Sequence, residues 1–266
     1  MTQQQALAIL KMGKNVFLTG AAGSGKTYVL NAYIEYLREN DISVAITAST
    51  GIAATHMNGK TIHSWAHIGI KEYLSPADLQ NLFKRKEQRL AIAEAKVLII
   101  DEVSMLHHFR LDMVDAVLRK VHGNTKPFGG IQVVLCGDLF QLPPVTRGGP
   151  ARYITEADVW ERMNIHVCYL TEQYRHEDDA LSQLLNEMRS GEVSEQSMER
   201  LKERMQAELA VPVVPTRLFT HNADVDTINN AELKALDGDE KTYTMMRRGD
   251  RVLAKWKKSH VTSIPE

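Results

Sequence analysis

The chain has 266 residues, 44% of them hydrophobic and 24% charged, with a net charge of −1. A chain of that size and composition builds its core without disulfide or metal staples. It holds no apolar run long enough to span a membrane, and its near-neutral charge gives no global argument for a nucleic-acid partner, so only local patches could supply one.

The N-terminus, "MTQQQALAILKMGKN", lacks the basic-then-apolar layout of a secretion signal, so a cytoplasmic protein is expected. The first apolar run, "NVFLTG" (15–20), reads as a strand. The segment that follows it, "GAAGSGKT" (Gly20 to Thr27), fits the pattern G-x-x-x-x-G-K-[ST] between a strand and a helix. The helix is marked by an apolar face at Val29, Leu30, Tyr33, Ile34 and Leu37. In that context the loop is a phosphate cradle: glycines turn backbone N–H groups inward and the helix start adds its dipole. The nucleotide-binding set is Gly20, Ala21, Ala22, Gly23, Ser24, Gly25, Lys26 and Thr27, with Tyr28 beside it. Lys26 would reach the terminal phosphates, and the Thr27 hydroxyl would bind Mg²⁺.

"SVAIT" (43–47) is the second strand. It leads into "TASTGIAATHMNGKTIHSW" (Thr47 to Trp65), rich in hydroxyls, glycine and histidine at a strand end. Residues 68–94 form an insert whose "FKRKEQR" (Phe83 to Arg89) sets an aromatic beside four basic residues. Two readings stay open there. One is stacking and phosphate tracking by Phe83 and its basic neighbours. The other is a solvated helix with Leu79, Leu82, Phe83 and Leu90 turned inward.

"KVLIID" (96–101) is a buried strand that delivers Asp101 and Glu102 at its end. Asp101 would hold Mg²⁺, and Glu102 would take the proton of an attacking water. A helix follows, with Leu111, Val114, Val117, Leu118 and Val121 on one face and Gly123 placed to end it. The strand "IQVVLCGD" (131–138) runs into "CGDLFQLPPV", where the Gln141 amide suits sensing of a γ-phosphate. "HVCYL" (166–170) precedes "LTEQYRH", whose Arg175 is either an arginine finger or an ordinary surface arginine. Cys136 and Cys168 lie in strand-like runs and read as small buried hydrophobes of a reducing compartment. His63 and His67, and the pair His107-His108, lack further ligands nearby, so zinc is not expected.

Residues 172–216 read as mostly helical, with a stripe at Met198, Leu201 and Met205, and end in the Pro-rich "VPVVPT". A further strand, "RLFT" (217–220), opens a new strand–helix unit. Strands alternating with helices predict an α/β fold, a parallel sheet with helices on both faces and ligands beyond the strand ends.

The ordered set "GAAGSGKT", "TASTGIAA", "TIHSW", "IIDEVSM", "GDLFQLPPV" and "LTEQYR" closely resembles the PIF-type helicases. These form the 5′-to-3′ branch of superfamily 1, related to RecD and Dda. The resemblance covers about residues 1–235. It implies a RecA-like P-loop NTPase domain over 1–172, with 68–94 where relatives carry a wedge or pin. A helical connection, 173–216, and the start of a second RecA-like domain, 217–266, would follow. It implies ATP and Mg²⁺ as cofactors, with Lys26, Glu102, Gln141 and Arg175 as catalytic residues, Thr27 and Asp101 at the metal, and Gln3 against adenine.

The resemblance also implies single-stranded DNA and duplex or G-quadruplex junctions as partners, a monomer, and no membrane association. Ser49, Thr50 and Gly51, at the start of a short helix, suit a DNA phosphate. His63 and Ser64 match a motif near DNA, and Phe83 is the candidate pin aromatic. Family members continue into a complete second domain whose last motifs are absent here, so the chain is expected to be an N-terminal portion. Replication, recombination, repair and telomere maintenance are the implied roles. The competing readings are an ATP-gated single-strand-binding module without motor activity and a P-loop small-molecule kinase. The kinase is disfavoured because the strand end carries Gln-Leu-Pro-Pro instead of an Arg-bearing lid.

Overall fold

Alternate residues of a strand point to opposite faces, so a strand covered on both sides must be apolar at successive positions. The computed structural model describes residues 1–84, 86–146, 148–172, 179–206, 216–219 and 222–236, with short strands at 242–243 and 261–262. Its main sheet contains β1 (Val16–Gly20), β2 (Val44–Ala48), β3 (Lys60–Thr61), β4 (Val97–Asp101), β5 (Gln132–Cys136) and β6 (His166–Leu170). The six run in the order β3-β2-β4-β5-β1-β6, with every pairing parallel. Strand β4 shows the rule: Leu98 and Ile100 enter one core, Val97 and Ile99 the other.

Two helices cover the second of these cores, α1 (Gln3–Lys11) and α2 (Lys26–Glu39). In α2, Val29, Leu30, Tyr33, Ile34 and Leu37 are all buried, as their spacing predicts. Helix α1 is not among the predicted elements. Its start is fixed by a capping box: the Thr2 hydroxyl accepts the Gln5 N–H, and the Gln5 side chain accepts the Thr2 N–H. Ala6 and Leu10 then bury its inner face.

After β2 come two short helices, α3 (Gly51–His56) and α4 (Ile62–Trp65), capped by the hydroxyls of Thr50 and Thr61. Between them lies β3, an edge strand of two residues that was also not predicted. Gly59, just before β3, shows why the chain can turn there. A Cβ at Gly59 would stand 2.4 Å from the Ile46 carbonyl oxygen of β2. Gly59→Ala must therefore push β3 off β2. We expect a loss of about 1–3 kcal/mol by denaturant titration, the usual cost of overpacking.

The opposite face is covered by α5 (Pro76–Lys84) and α6 (Lys86–Glu94) of the insert, α7 (His108–His122) and α8 (Asp158–Arg162). Helix α7 buries Leu111, Val114, Val117 and Leu118, keeps Val121 partly buried, and stops at Gly123 in a left-handed conformation (φ 66°). Of the insert's apolar residues, Leu82 and Ile92 are buried and Leu79 packs against the core, whereas Leu90 is 42% exposed and does not turn inward. Trp65 also packs against this core.

Beyond β6 lie α9 (Asp179–Ser190), α10 (Glu195–Gln206) and α11 (Asn222–Ala235). The chain divides into two compact units, Met1–Lys202 and Glu203–Glu266, with the division inside α10. The predicted stripe on α10 is not a buried seam: Met198 is 43% and Met205 86% exposed. The predicted strand at 217–220 is also corrected, since residues 216–219 have no regular structure. The second unit contains α11 and a two-residue antiparallel pair, β7 (Thr242–Tyr243) with β8 (Val261–Thr262). The basic stretch at 255–258 lies outside the described residues. Among the described residues no helix is long and apolar enough to cross a membrane.

Candidate active site

In a parallel sheet all strand ends of one polarity share an edge, so the loops after β1, β2, β4 and β5 meet there. Register places Ala48 beside Asp101 and Leu18 beside Cys136. One strand, β5, separates the end of β1 from the end of β4. The sheet thus brings the phosphate-type loop, the two acids and the Gln141 turn to one place.

The loop is tightly built. Gly23 and Gly25 have φ of 81° and 85°, which side chains rarely adopt. Gly25 is the N-cap of α2, and its missing Cβ leaves room for Gln3: a Cβ there would lie 1.9 Å from Gln3 Nε2. Gln3 Nε2 donates to the Ser24 carbonyl at 3.2 Å. Of the three consecutive glutamines, then, Gln3 reaches the loop while Gln5 is used in the capping box. Lys26 Nζ donates to the Gly20 and Ala21 carbonyls at 2.8 and 3.1 Å. The Ser24 hydroxyl is buried without a hydrogen-bond partner.

A cleft of about 400 Å³ opens beside the loop, lined by Ala22, Gly23, Gly25, Lys26, Thr27, Tyr28, Glu102 and Gln141. The predicted base and sensor therefore share one cavity with the loop lysine. Glu102 adopts a left-handed backbone (φ 53°, ψ 44°), which costs a non-glycine residue about 1–3 kcal/mol and persists only where the surroundings hold it. Burial pushes its carboxyl above the ordinary glutamate value, and Asp101 adds to that rise while Lys26 opposes it. A carboxylate raised in this way is a better proton acceptor. Asp101 is 9% exposed and accepts the Glu102 N–H on Oδ1 at 2.9 Å. Burial, and then Asp101 nearby, hold the Cys136 thiol well above its usual range, so it stays protonated.

The surroundings that hold Glu102 come from the polar stretch after β2. Ser49 Oγ donates to the Glu102 carbonyl at 2.6 Å, and the Ser49 N–H donates to the Asp101 carbonyl at 3.0 Å. Ser49 is only 9% exposed, so its hydroxyl is committed to the acid strand. Thr50 Oγ1 accepts the Ala53 N–H at 3.3 Å, which leaves its own O–H free to donate outward. Ser64 is exposed and His63 partly exposed on α4. Burial, with Arg110 and His107 nearby, lowers the pKa of His63, favouring the neutral ring. His63 and His67 do not share a helix face: α4 ends at Trp65 and His67 has φ 54°.

Sequence reading missed a second feature beside Gln141. Asp138, 2% exposed, accepts Arg189 Nη1 at 2.7 Å and Gln141 Nε2 at 3.2 Å, both on Oδ2. Arg189 is the last-turn basic residue of α9, and nothing in its local sequence marks it. Arg175 and the Phe83 side chain, two of the predicted site groups, lie outside the described residues.

A Gly-rich loop at a helix start, a lysine, the Glu102 carboxylate and an amide in one cleft, with Asp101 next in the chain, have the chemistry to hold a phosphate-rich ligand and support hydrolytic attack on it. A family model described as PIF1-like helicase matches residues 3–199. The ATP-dependent DNA helicase Pif1 of Psychrobacter sp. (strain PRwf-1) is 48% identical over 277 residues, covering all of this chain and 42% of the relative. The mouse ATP-dependent DNA helicase PIF1 is 37% identical, covering 91% of this chain and 38% of the relative. The chain thus spans about two fifths of the length of these relatives. Among solved structures, the Pif1 helicase of Candida albicans superposes with a TM-score of 0.80 at 32% identity, over 91% of this chain and 55% of that one. The Bacteroides Pif1 helicase in complex with ADP-AlF3 and single-stranded DNA gives 0.75 at 30% identity, over 92% of this chain and 60% of that one. Motifs, fold and relatives converge: the chain belongs to the PIF1-like helicase family.

Proposed function

We propose that this chain carries the ATP site and part of the DNA face of an ATP-dependent helicase that moves 5′-to-3′ on single-stranded DNA and unwinds duplex ahead of it. One observation supports this above the others: Lys26, Glu102 and Gln141 line a single cleft, and the strand end beside it is tied by Ser49 to the polar stretch after β2. The matching relatives are ATP-dependent DNA helicases, and one was solved with ADP-AlF3 and single-stranded DNA.

In this reading the loop 20–27 holds the phosphates of ATP, with Tyr28 beside it and Gln3 at the adenine end. The loop fits such a ligand: Gly23 and Gly25 hold the left-handed backbone that turns N–H groups inward, and the Ser24 hydroxyl is a buried group in need of a partner. Thr27 and Asp101 are the residues that would hold Mg²⁺. When bound, the ion supplies charge neutralisation at the phosphates. Glu102 accepts the proton of the attacking water, Gln141 reads the γ-phosphate, and Arg175 is the proposed finger.

Thr50, Gly51, His63 and Ser64 form the DNA face, as backbone-positioning contacts without base readout. Residues 68–94 with Phe83 are the proposed pin, 173–216 the connection, and 217–266 the start of the second RecA-like domain. Work on DNA in repair, recombination, replication or telomere maintenance follows from the same reading, as a monomer in the cytoplasm, nucleoid-associated in a prokaryote and nuclear or mitochondrial in a eukaryote.

The test is steady-state ATPase with and without single-stranded DNA, paired with unwinding of forks bearing a 5′ or a 3′ tail, on the natural full-length protein. Stimulated turnover and 5′-tail dependence support the motor. Binding without turnover supports the ATP-gated binding module instead.

Ser49 separates two roles in the same assay. We expect Ser49→Ala to lower turnover several-fold by loosening Glu102, with the affinity for single-stranded DNA unchanged. A roughly tenfold loss of single-strand affinity with parental turnover would return Ser49 to the phosphate contacts.

A further inference from the structure

We propose that Arg189 is a positioning residue for the nucleotide site, acting through Asp138 to hold the Gln141 amide toward the cleft. The proposal rests on the reading of Gln141 as the group that senses the γ-phosphate.

Gln141 lies on an exposed turn, where a glutamine side chain would sample several rotamers. Two hydrogen bonds to one residue restrain it: its N–H donates to the Asp138 carbonyl at 2.9 Å, and its Nε2 donates to Asp138 Oδ2 at 3.2 Å. The Phe140 N–H donates to Asp138 Oδ1 at 3.2 Å, so both carboxylate oxygens are engaged. A carboxylate that is 2% exposed is costly to keep ionised, and a paired cation offsets much of that cost.

Arg189 supplies that cation. Its Nη1 lies 2.7 Å from Asp138 Oδ2, and its side chain is 17% exposed. The guanidinium lies 4.4 Å from the centre of the Phe140 ring. Burial pushes the Asp138 carboxyl up, but the Arg189 bond and the Phe140 and Gln141 donors outweigh it, and the carboxyl titrates below the ordinary range.

Arg189 belongs to α9, 51 residues from Asp138. Next to the nucleotide cleft, α9 and the loop residues Ala21 and Ala22 line a second cavity of about 310 Å³, and Ala22 and Gln141 line both cavities. Arg189 thus links α9 to Gln141 through the Asp138 carboxylate that both side chains share. Without Arg189, Asp138 either takes a proton or draws the Gln141 amide to itself, and the amide no longer holds its place in the cleft.

The test is the affinity ratio between a non-hydrolysable ATP analogue and ADP, measured by equilibrium binding on the full-length protein. A purely structural loss reduces the folded fraction and scales both affinities alike, leaving the ratio unmoved. Gln141→Ala is expected to lower the ratio about tenfold, the worth of a hydrogen bond to a charged oxygen. Arg189→Ala is expected to lower it comparably, the double variant no further, and Arg189→Lys to retain part of it. If Arg189→Ala fails to fold, Asp138→Asn with Arg189→Gln replaces the ion pair by an amide pair, and the same loss is expected. A parental ratio in the Arg189 variants, with the ratio lost in Gln141→Ala, overturns the proposal. A parental ratio in Gln141→Ala itself refutes the sensor reading, and the proposal with it.

Discussion

Glu102→Gln is expected to cut DNA-stimulated ATP turnover by about 10²- to 10⁴-fold, the usual contribution of a positioned general base, while nucleotide binding is kept. The amide has the carboxylate's shape but cannot accept the proton of the attacking water. Lys26 and the glycine loop are untouched, and one negative charge beside Asp101 is removed, so affinity for nucleotide should hold or improve. The same substitution should raise thermal stability at neutral pH. Burial first, and Asp101 second, raise the Glu102 carboxyl above its ordinary value of 4.5. A raised acid stabilises the fold below its unfolded value and loses that contribution as pH rises through the folded one. The parent should therefore lose stability relative to Glu102→Gln as pH climbs from about 4.5 toward neutrality. Melting curves across that range, beside the turnover assay, check both halves. A variant that turns over like the parent would remove Glu102 from the chemistry.

How much of this was readable in the sequence follows from the range of each interaction. The loop 20–27, the acids at 101–102 and the Gln141 turn are each local patterns at a strand end, so spacing alone located them. The buried face of α2 was legible for the same reason, since five apolar residues at helical spacing can point only one way. Gln3 required more. Three glutamines in a row look alike until Thr2 takes Gln5 for its capping box and leaves Gln3 toward Ser24. The pairs that steady the site were not legible. Ser49 and Glu102 are 53 residues apart, Asp138 and Arg189 are 51, and nothing in either local sequence names its partner. The polar stretch after β2 illustrates the consequence. Its hydroxyls suggested a single ligand face, yet Ser49 turns to the acid strand and Thr50 caps a helix. Strand β3 escaped because two residues carry no periodicity, and 217–220 misled because a short apolar run does not by itself make a strand.

Asp115→Ala should be strongly damaging for a polar substitution away from the cleft, at about 3 kcal/mol. Asp115 is 1% exposed on α7 and serves three donors. Its Oδ2 accepts Arg119 Nε at 2.9 Å and Arg162 Nη2 at 3.1 Å, and its Oδ1 accepts the Phe128 N–H at 2.7 Å. Phe128 is fully buried in a left-handed conformation (φ 50°, ψ 31°), a costly state for an aromatic residue. The aspartate thus ties α7 to α8 and holds the strained turn that leads directly into β5. Both arginines are partly exposed and can turn to water, so their loss counts for less than the orphaned Phe128 N–H and the released strain. For a unit of this size the melting temperature should fall by roughly 6–12 °C. Asp115→Asn keeps an acceptor for Phe128 and should lose well under half as much. If Asn and Ala fall together, the charge and not the turn is what Asp115 supports. The site lies at the other end of β5, where Asp138 and Gln141 follow. The Ala variant should therefore hydrolyse ATP at a near-parental rate well below its melting point and fail abruptly near it, because β5 delivers Gln141 only while its first residue is held in place.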